Sequence, residues 1–322
     1  MRVLFIGIGS IAKKHIKAIR AIDANTQLFA LRSSRDAAKY DGVEDVYDYS
    51  EIKGVNPDFI IISNPTSKHF ETIERLLPFR KPLFIEKPVF GELGHDDIIQ
   101  EIDNKGILTY VACDMRFMDC LTWLHEYMQE HRNNVRINEI NVYCGSYLPD
   151  WRPGTDFRKC YSAIPELGGG VHIDLIHDVD YVYWIFGKPQ NHTAVFRNVS
   201  SLDIKAYDYA DFNLEYPTFC ANVVLNYYRR DAKRYMEILF DNCTWTVDML
   251  KNEITSSTGE LIYKSEQSGA DEYETQMRYF MGLVKDNAKT SMNSAEEAYD
   301  VLKICLNDKK NESNHHRTGV DG

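Results

Sequence analysis

Two sets of residues in this 322-residue chain have the types and spacing to do chemistry. The first is Gly7-Ile8-Gly9-Ser10-Ile11-Ala12, a G-x-G-x-x-A run that follows the apolar VLFI and opens into a helical pattern. Gly7 permits the tight turn from strand to helix, Gly9 lets the backbone approach a pyrophosphate, and Ala12 lets the helix pack close on the strand. Unpaired N–H groups at the helix start, at Ser10 and Ile11, point at such an anion and the helix dipole favours it. This is dinucleotide-binding chemistry. The second set can move a proton: Lys87 within Glu86-Lys87-Pro88, and Asp174 with His177 after the glycines 168–170. Oxidising an alcohol needs a base for the hydroxyl proton while hydride leaves the same carbon, and Lys87 and His177 are the candidates. The unperturbed pKa of histidine lies near working pH, and Asp174 would bind a neighbouring hydroxyl or orient the imidazole. His172 and Asp178 lie off that face and read as structural.

The elements that must position these groups alternate along the first third of the chain. Strands are expected at Val3–Ile6, Gln27–Leu31, Phe59–Ser63, Pro82–Ile85 and Leu108–Ala112, and helices near 10–22, 67–77, 93–104 and 119–130, which implies a parallel sheet with right-handed crossovers. Lys87 then follows the end of a parallel strand, where open α/β sheets place ligands. Past residue 118 the texture changes to apolar–polar alternation at 137–148, 192–202 and 207–263, the pattern of an antiparallel sheet. Residues 168–187 read as one helix entered from a glycine loop that permits close approach to a cofactor, and Asp174 and His177, three apart, would share its face. Ser294 and Glu297 read as the capping box of a last helix ending near Leu306. The expectation is α/β overall: a doubly wound parallel domain at 1–118, an α+β domain with a large open mixed sheet at 119–306, and a disordered tail at 307–322.

Several motifs refine the binding expectations. In Ser63-Asn64-Pro65-Thr66-Ser67-Lys68-His69, Asn64 and Pro65 at a strand end would lie beside a nicotinamide ribose, Ser67 would cap the next helix, and His69 would sit on its first turn. Glu86 would orient Lys87 or close its strand end; His69, Glu86 and Lys87 are counted with the cofactor-binding set. After the second strand the acidic residue that would meet a ribose 2′-hydroxyl is missing; Arg32, Ser33, Ser34 and Arg35 stand there, groups suited to a 2′-phosphate. NADP(H) is favoured and NAD(H) is the alternative. Residues 145–163 are aromatic and basic: Trp151 would stack on a sugar face while Arg152, Arg158 and Lys159 meet an anion.

The motifs Gly7–His15, Ser63–His69, Glu86–Pro88 and the glycines 168–170 followed by Asp174 and His177, in that order, resemble the glucose-fructose oxidoreductase, inositol dehydrogenase and MocA-like family over essentially the whole chain. The resemblance implies an N-terminal Rossmann domain, a C-terminal sheet domain, and nicotinamide-dependent oxidation or reduction of sugars, sugar nucleotides or polyols. It implies that Lys87 is the catalytic lysine and that Arg116 with Phe117 is a basic–aromatic position near the active site. The usual four-residue spacing of the family's Asp and His is three here. A homodimer or homotetramer through the C-terminal sheet is a further expectation, and an activated or acidic sugar of surface-polysaccharide metabolism is the first substrate. Two alternatives stand beside this: a dinucleotide-sensing regulator without turnover, and a glycosidase that oxidises its substrate transiently.

Composition excludes other classes. A formal net charge of −11 gives no general basic footprint for nucleic acid or an anionic membrane. The seven cysteines are odd in number and contain no C-x-x-C pair, which argues against a disulfide framework or a zinc site and fits a reducing cytoplasm. Lys13 and Lys14 interrupt the apolar start, which argues against a signal peptide. No metal is expected.

Overall fold

The computed structural model describes residues 1–266 and 272–308. They form two compact units, Met1–Thr122 with Ser265–Leu302, and Trp123–Lys264 with the segment from Lys303.

The first unit opens with β1 (Arg2–Ile6), α1 (Ser10–Ile22), β2 (Gln27–Leu31), β3 (Val43–Val46), α2 (Ile52–Val55), β4 (Phe59–Ile62), α3 (His69–Leu76), β5 (Leu83–Ile85), α4 (Asp96–Asn104) and β6 (Thr109–Val111). Its six strands lie in the order β3-β2-β1-β4-β5-β6, and every pairing is parallel. Helices covering both faces leave the central strands with no solvated side: Phe59, Ile60, Ile61 and Ile62 are all 0% exposed. Each such side chain stabilises by about 1.5–3 kcal/mol, which explains why this run reads as unbroken hydrophobicity. The strand order reverses between β1 and β4, and that switch point is where a doubly wound sheet opens a ligand crevice beyond its C-terminal strand ends. β3 was not expected; in VEDV only Val46 is buried, so this edge strand carries little hydrophobic signal. The expected cap Ser67 is also absent, because residues 66–68 form a 3₁₀ turn and α3 begins only at His69 with no side-chain cap.

α5 (Asp119–His131) leads the chain into the second unit. There β7 (Ile137–Tyr147) is followed by α6 (Val171–Asp174), α7 (Ile176–Phe186), β8 (Asn191–Arg197), β9 (Tyr209–Glu215), β10 (Cys220–Asn226), β11 (Tyr228–Phe240), β12 (Thr244–Asp248), β13 (Glu253–Ser256) and β14 (Leu261–Lys264). The eight strands run β14-β13-β12-β11-β7-β10-β9-β8 and pair antiparallel except β7 with β10. Alternation puts Val142, Phe212, Val223, Met236 and Ile238, all nearly inaccessible, on one face. Trp123 and Tyr127 of α5 pack there on Trp245, with ring centroids 6.0 and 4.9 Å apart.

The chain then returns through α8 (Glu272–Lys285) and α9 (Ala295–Cys305). Residues 265–302, expected in the second domain, belong to the first unit. Met277, Phe280 and Met281 of α8 enter its core, and Phe280 meets Phe59 and Phe84 edge-on at 5.3 and 5.5 Å. Asn293 continues the sheet beyond β6 by exchanging hydrogen bonds with Val111, so that edge is covered. Glu297 N–H donates to Ser294 Oγ at 3.2 Å as expected of the cap, but the Glu297 carboxylate pairs with Arg116 instead. The expected tail lies, from residue 309, outside the described residues.

Candidate functional site

The glycine turn sits at the switch point. Gly7 has φ +86, a conformation that favours glycine, and a Cβ there would lie 3.4 Å from Asn64 Cα. A Cβ on Gly9 would meet nothing within 4 Å, so protein packing does not demand glycine there and the space in front of it is open. Ala12 is fully buried against the sheet while Ser10 and Ile11 begin α1 with no acidic side chain in its first turn. Beside Gly7, Asn64 Nδ2 donates to Thr72 at 2.8 Å, and its buried Oδ1 accepts from no described residue. An orphaned acceptor beside a glycine turn fits a ribose hydroxyl or carboxamide donor, since an unmatched buried acceptor otherwise costs about 1–3 kcal/mol. Pro65 is exposed next to it. These residues fit a nicotinamide dinucleotide.

Lys87 is half-buried on the turn after β5, and the Lys87–Pro88 peptide is cis. Glu86 continues the ladder, its N–H donating to Ile62 O at 3.0 Å, while its carboxylate pairs with the buried imidazole of His15 on α1. Of the two expected roles, closing the strand end is the one these contacts describe. His69, expected to touch the cofactor, is fully buried instead and faces the carbonyls of Asn64, Pro88 and Val89.

The end of β2 differs from expectation. Arg32 is not left for a 2′-phosphate: Nη1 donates to Asp45 Oδ1 at 3.0 Å and Nη2 to Ala38 O at 3.0 Å, and the side chain is 9% exposed. The carboxylate missing from β2 is supplied next door by β3, which the sequence did not reveal. Ser33, Ser34 and Arg35 remain exposed, with the Arg35 guanidinium 4.3 Å from the Tyr47 ring centre. Arg116 is likewise reassigned. It is 1% exposed and clamps the approach to α9, donating to Met292 O and to Asn293 Oδ1 at 3.3 Å and pairing with Glu297 at 2.8 Å. These contacts give the guanidinium a structural role at the start of α9.

In the second unit the expected single helix breaks at Leu175 (φ −97, ψ 30), so Asp174 ends α6 and His177 lies in the first turn of α7. They do not share a helix face. Asp174 is 6% exposed and accepts from two phenols, Tyr161 on Oδ1 and Tyr227 on Oδ2, the latter at 2.9 Å. Sequence reasoning missed both tyrosines; the signal available was only that Tyr161 lies in the aromatic stretch and that Tyr227 ends a strand pattern. Burial pushes the Tyr227 phenol pKa far up, and the Asp174 carboxylate adds to the effect, so it stays a donor. His177 is half-buried. Asp178, read as structural, is fully buried under a two-point contact from Arg234 at 3.0 and 2.6 Å and a bond from Tyr181 at 2.8 Å. His172, read as structural, is 7% exposed and packs on Phe196 and Tyr207; burial pulls its pKa down to about 4.

The aromatic–basic stretch wraps this carboxylate. Trp151 donates to Ser146 at 2.9 Å and meets Tyr227 edge-on at 5.4 Å, while Arg152 lies 5.5 Å from the Tyr161 ring centre. The enclosed space lined by Trp151, Arg152 and Phe157 is about 10 Å³, enough for a water and not for a sugar. Arg152, Arg158 and Lys159 are exposed. Of the glycines before α6, Gly169 is demanded by packing, since a Cβ there would stand 2.1 Å from Tyr161 O. Among the described residues no group of three or more His, Cys, Asp or Glu is arranged to hold a metal, and no helix is long and apolar enough to cross a membrane.

Residues 1–109 match the family model described as oxidoreductase family, NAD-binding Rossmann fold, and residues 127–258 match that of the GFO/IDH/MocA C-terminal domain. The chain belongs to the Gfo/Idh/MocA oxidoreductase family. A curated relative, the myo-inositol 2-dehydrogenase of Thermotoga maritima, is 25% identical over 197 residues, 58% of this chain and 55% of that one, so the match spans about half of the relative's length. Among solved structures, UDP-N-acetylglucosamine 3-dehydrogenase from Acidithiobacillus ferrooxidans is 18% identical with a TM-score of 0.74, covering 95% of this chain and 96% of that one. Scyllo-inositol dehydrogenase from Lactobacillus casei, solved with NAD(H) and scyllo-inositol, is 20% identical with a TM-score of 0.75 and covers 95% of each chain. At such identities the structures establish the shared fold.

Proposed function

We propose that this chain is a nicotinamide-dependent dehydrogenase or reductase that moves hydride between the cofactor and a hydroxyl or carbonyl carbon of a sugar, sugar nucleotide or polyol. The observation that carries the reading is the joint placement, in one unit, of the Gly7–Ala12 turn, the orphaned acceptor of Asn64 and the Lys87 turn at the C-terminal ends of adjacent parallel strands. The nicotinamide, when bound, supplies or accepts the hydride. Lys87 polarises the reacting oxygen or holds its proton, and His177 is the general base of the second unit. Asp174, oriented by Tyr161 on one oxygen and Tyr227 on the other, keeps acceptor capacity to fix a neighbouring hydroxyl or the imidazole. The family membership and the inositol and sugar-nucleotide dehydrogenases among the relatives support a polyhydroxylated substrate. Exposed Arg152 and Arg158 favour one carrying an anionic group, as activated sugars of surface-polysaccharide metabolism do.

NADP(H) remains the preferred cofactor of this reading, with the 2′-phosphate met by Ser33, Ser34 and Arg35 rather than by Arg32, and NAD(H) accepted. The open face of the second unit's sheet, which carries a cavity of about 490 Å³ edged by Asn141, Asn213 and Asn222, is the proposed homo-oligomer surface in a cytoplasmic enzyme. The test is a panel of sugar nucleotides and polyols incubated with NADP⁺ or NAD⁺ and followed by reduced-nicotinamide absorbance. Net reduction with at least one substrate is expected. Tight cofactor binding without redox across the panel would favour a sensor, and product formation without net cofactor change would favour transient oxidation by a glycosidase.

A further inference from the structure

His69 begins α3, and its ring faces three backbone carbonyls that lie outside that helix. It is 0% exposed, and α3 has no side-chain cap. Nε2 stands 3.1 Å from the carbonyl oxygen of Asn64, and Nδ1 stands 3.0 and 3.2 Å from those of Pro88 and Val89. One imidazole therefore spans two turns, the one after β4 that presents Asn64 and the one after β5 that presents Lys87. The parallel ladder joins these strands through Ile62 and Ile85, and its last rung is Glu86 N–H to Ile62 O at 3.0 Å. The turns that follow that rung have the His69 ring between their carbonyls.

We infer that His69 is a positioning residue that fixes the Lys87 turn against the Asn64 turn through the carbonyls of Pro88 and Val89. The inference rests on the reading of Lys87 as the proton-handling group. Burial pulls the imidazole below its ordinary pKa, against the opposing pull of the three carbonyls and Glu86. A neutral ring has one N–H, and Nδ1 has two carbonyl acceptors where Nε2 has one, so the proton on Nδ1 satisfies more of the surrounding acceptors. The Nδ1 contact belongs to the Lys87 side. A lysine moved by a fraction of an ångström leaves the near-attack geometry while the pyrophosphate, held at the glycine turn, is unaffected.

Amide side chains separate the two contacts. In His69→Asn the amide nitrogen overlays Nδ1 and keeps the bond to Pro88 and Val89; in His69→Gln it reaches the Nε2 position beside the Asn64 carbonyl and the bond to Pro88 and Val89 is lost. His69→Ala keeps neither. Cofactor affinity by fluorescence titration, melting temperature, kcat and KM are measured for all three on the substrate found in the panel, and again in a Lys87→Ala background. The expected result is kcat within about threefold of wild type for Asn and lower by about 10–100-fold for Gln and Ala, with KM and cofactor affinity within about threefold for Asn and Gln, and no further loss of kcat when His69→Gln is added to Lys87→Ala. Equal kcat in the Asn and Gln variants overturns the positioning role, as does loss of cofactor binding in step with kcat across the series. The two readings fail differently: normal turnover by Lys87→Ala alone removes the catalytic lysine, whereas a crippled Lys87→Ala beside unaffected His69 variants removes only the clamp.

Discussion

The Lys87 turn and the Asp174 cluster both present groups able to handle protons, and they are built in opposite ways. Around Lys87 the backbone does most of the positioning: β4 and β5 pair in fixed register, the Lys87 turn is tied to α3 through the carbonyls of Pro88 and Val89 at His69 Nδ1, and Glu86 pairs with His15. Around Asp174 the side chains do it. Tyr161 comes from the loop before the glycines and Tyr227 from the end of β10, and just behind them Asp178 is held by Arg234 from the middle of β11. The first arrangement keeps its fold on loss of one polar side chain even where the placement of Lys87 suffers, and the second depends on each side chain for stability, because every buried carboxylate must keep its donors.

The largest expected effect follows from that dependence. Arg234→Ala leaves Asp178, which is fully buried, without its counter-ion and should cost about 3–5 kcal/mol in urea unfolding, whereas Arg35→Ala at the exposed rim of the first unit should cost under about 0.5 kcal/mol. Comparable losses from both would break the contrast. Next in size is acid sensitivity. His172 has a pKa of about 4 in the fold against 6.5 unfolded, so between those values the unfolded chain binds more protons and stability rises with pH. Its contribution, up to about 3 kcal/mol, is complete above 6.5 and lost as pH falls through about 4. Between pH 6.5 and 4 the wild type should lose up to about 3 kcal/mol of stability relative to His172→Phe, which has no imidazole to protonate; parallel curves would contradict the assignment.

Tyr227→Phe should destabilise by about 1–3 kcal/mol by removing a buried donor to Asp174 Oδ2, and Tyr161→Phe by less, since Tyr161 is 39% exposed. Thermal unfolding of the pair ranks them, and a larger loss at Tyr161 would reverse the picture of Tyr227 as the inner support. The smallest effect concerns cofactor choice: Arg35→Ala should weaken NADPH about tenfold, the loss of one charge-assisted contact, and leave NADH unchanged, read by fluorescence titration. An equal effect of Arg32→Ala, corrected for stability, would return Arg32 to the phosphate.

These contrasts also explain what could be read in advance. The Rossmann strands, the Gly7 turn and the Lys87 turn were legible because local chemistry fixes them: continuous apolar runs, a positive φ at Gly7, a lysine just past a strand end. Arg116 and Arg32 were misread because their partners, Glu297 and Asp45, are unmarked in the sequence, one 181 residues away and one on an edge strand with a single buried residue. The break at Leu175 was invisible for a related reason. The sequence between Val171 and Phe186 carries no glycine or proline to mark a break, and its polar residues, His172, Asp174, His177, Asp178 and Asp180, are spread on both sides of Leu175.

The central claim is that cofactor binding and proton handling are separable functions. Cofactor affinity and turnover of Lys87→Ala and His177→Ala, measured side by side with wild type on the substrate from the panel, test it most directly. The account predicts affinity unchanged within about threefold and turnover lowered by about 10²–10⁴-fold in each variant, since the pyrophosphate is held by backbone N–H groups at the start of α1. Near-normal turnover in both would contradict it.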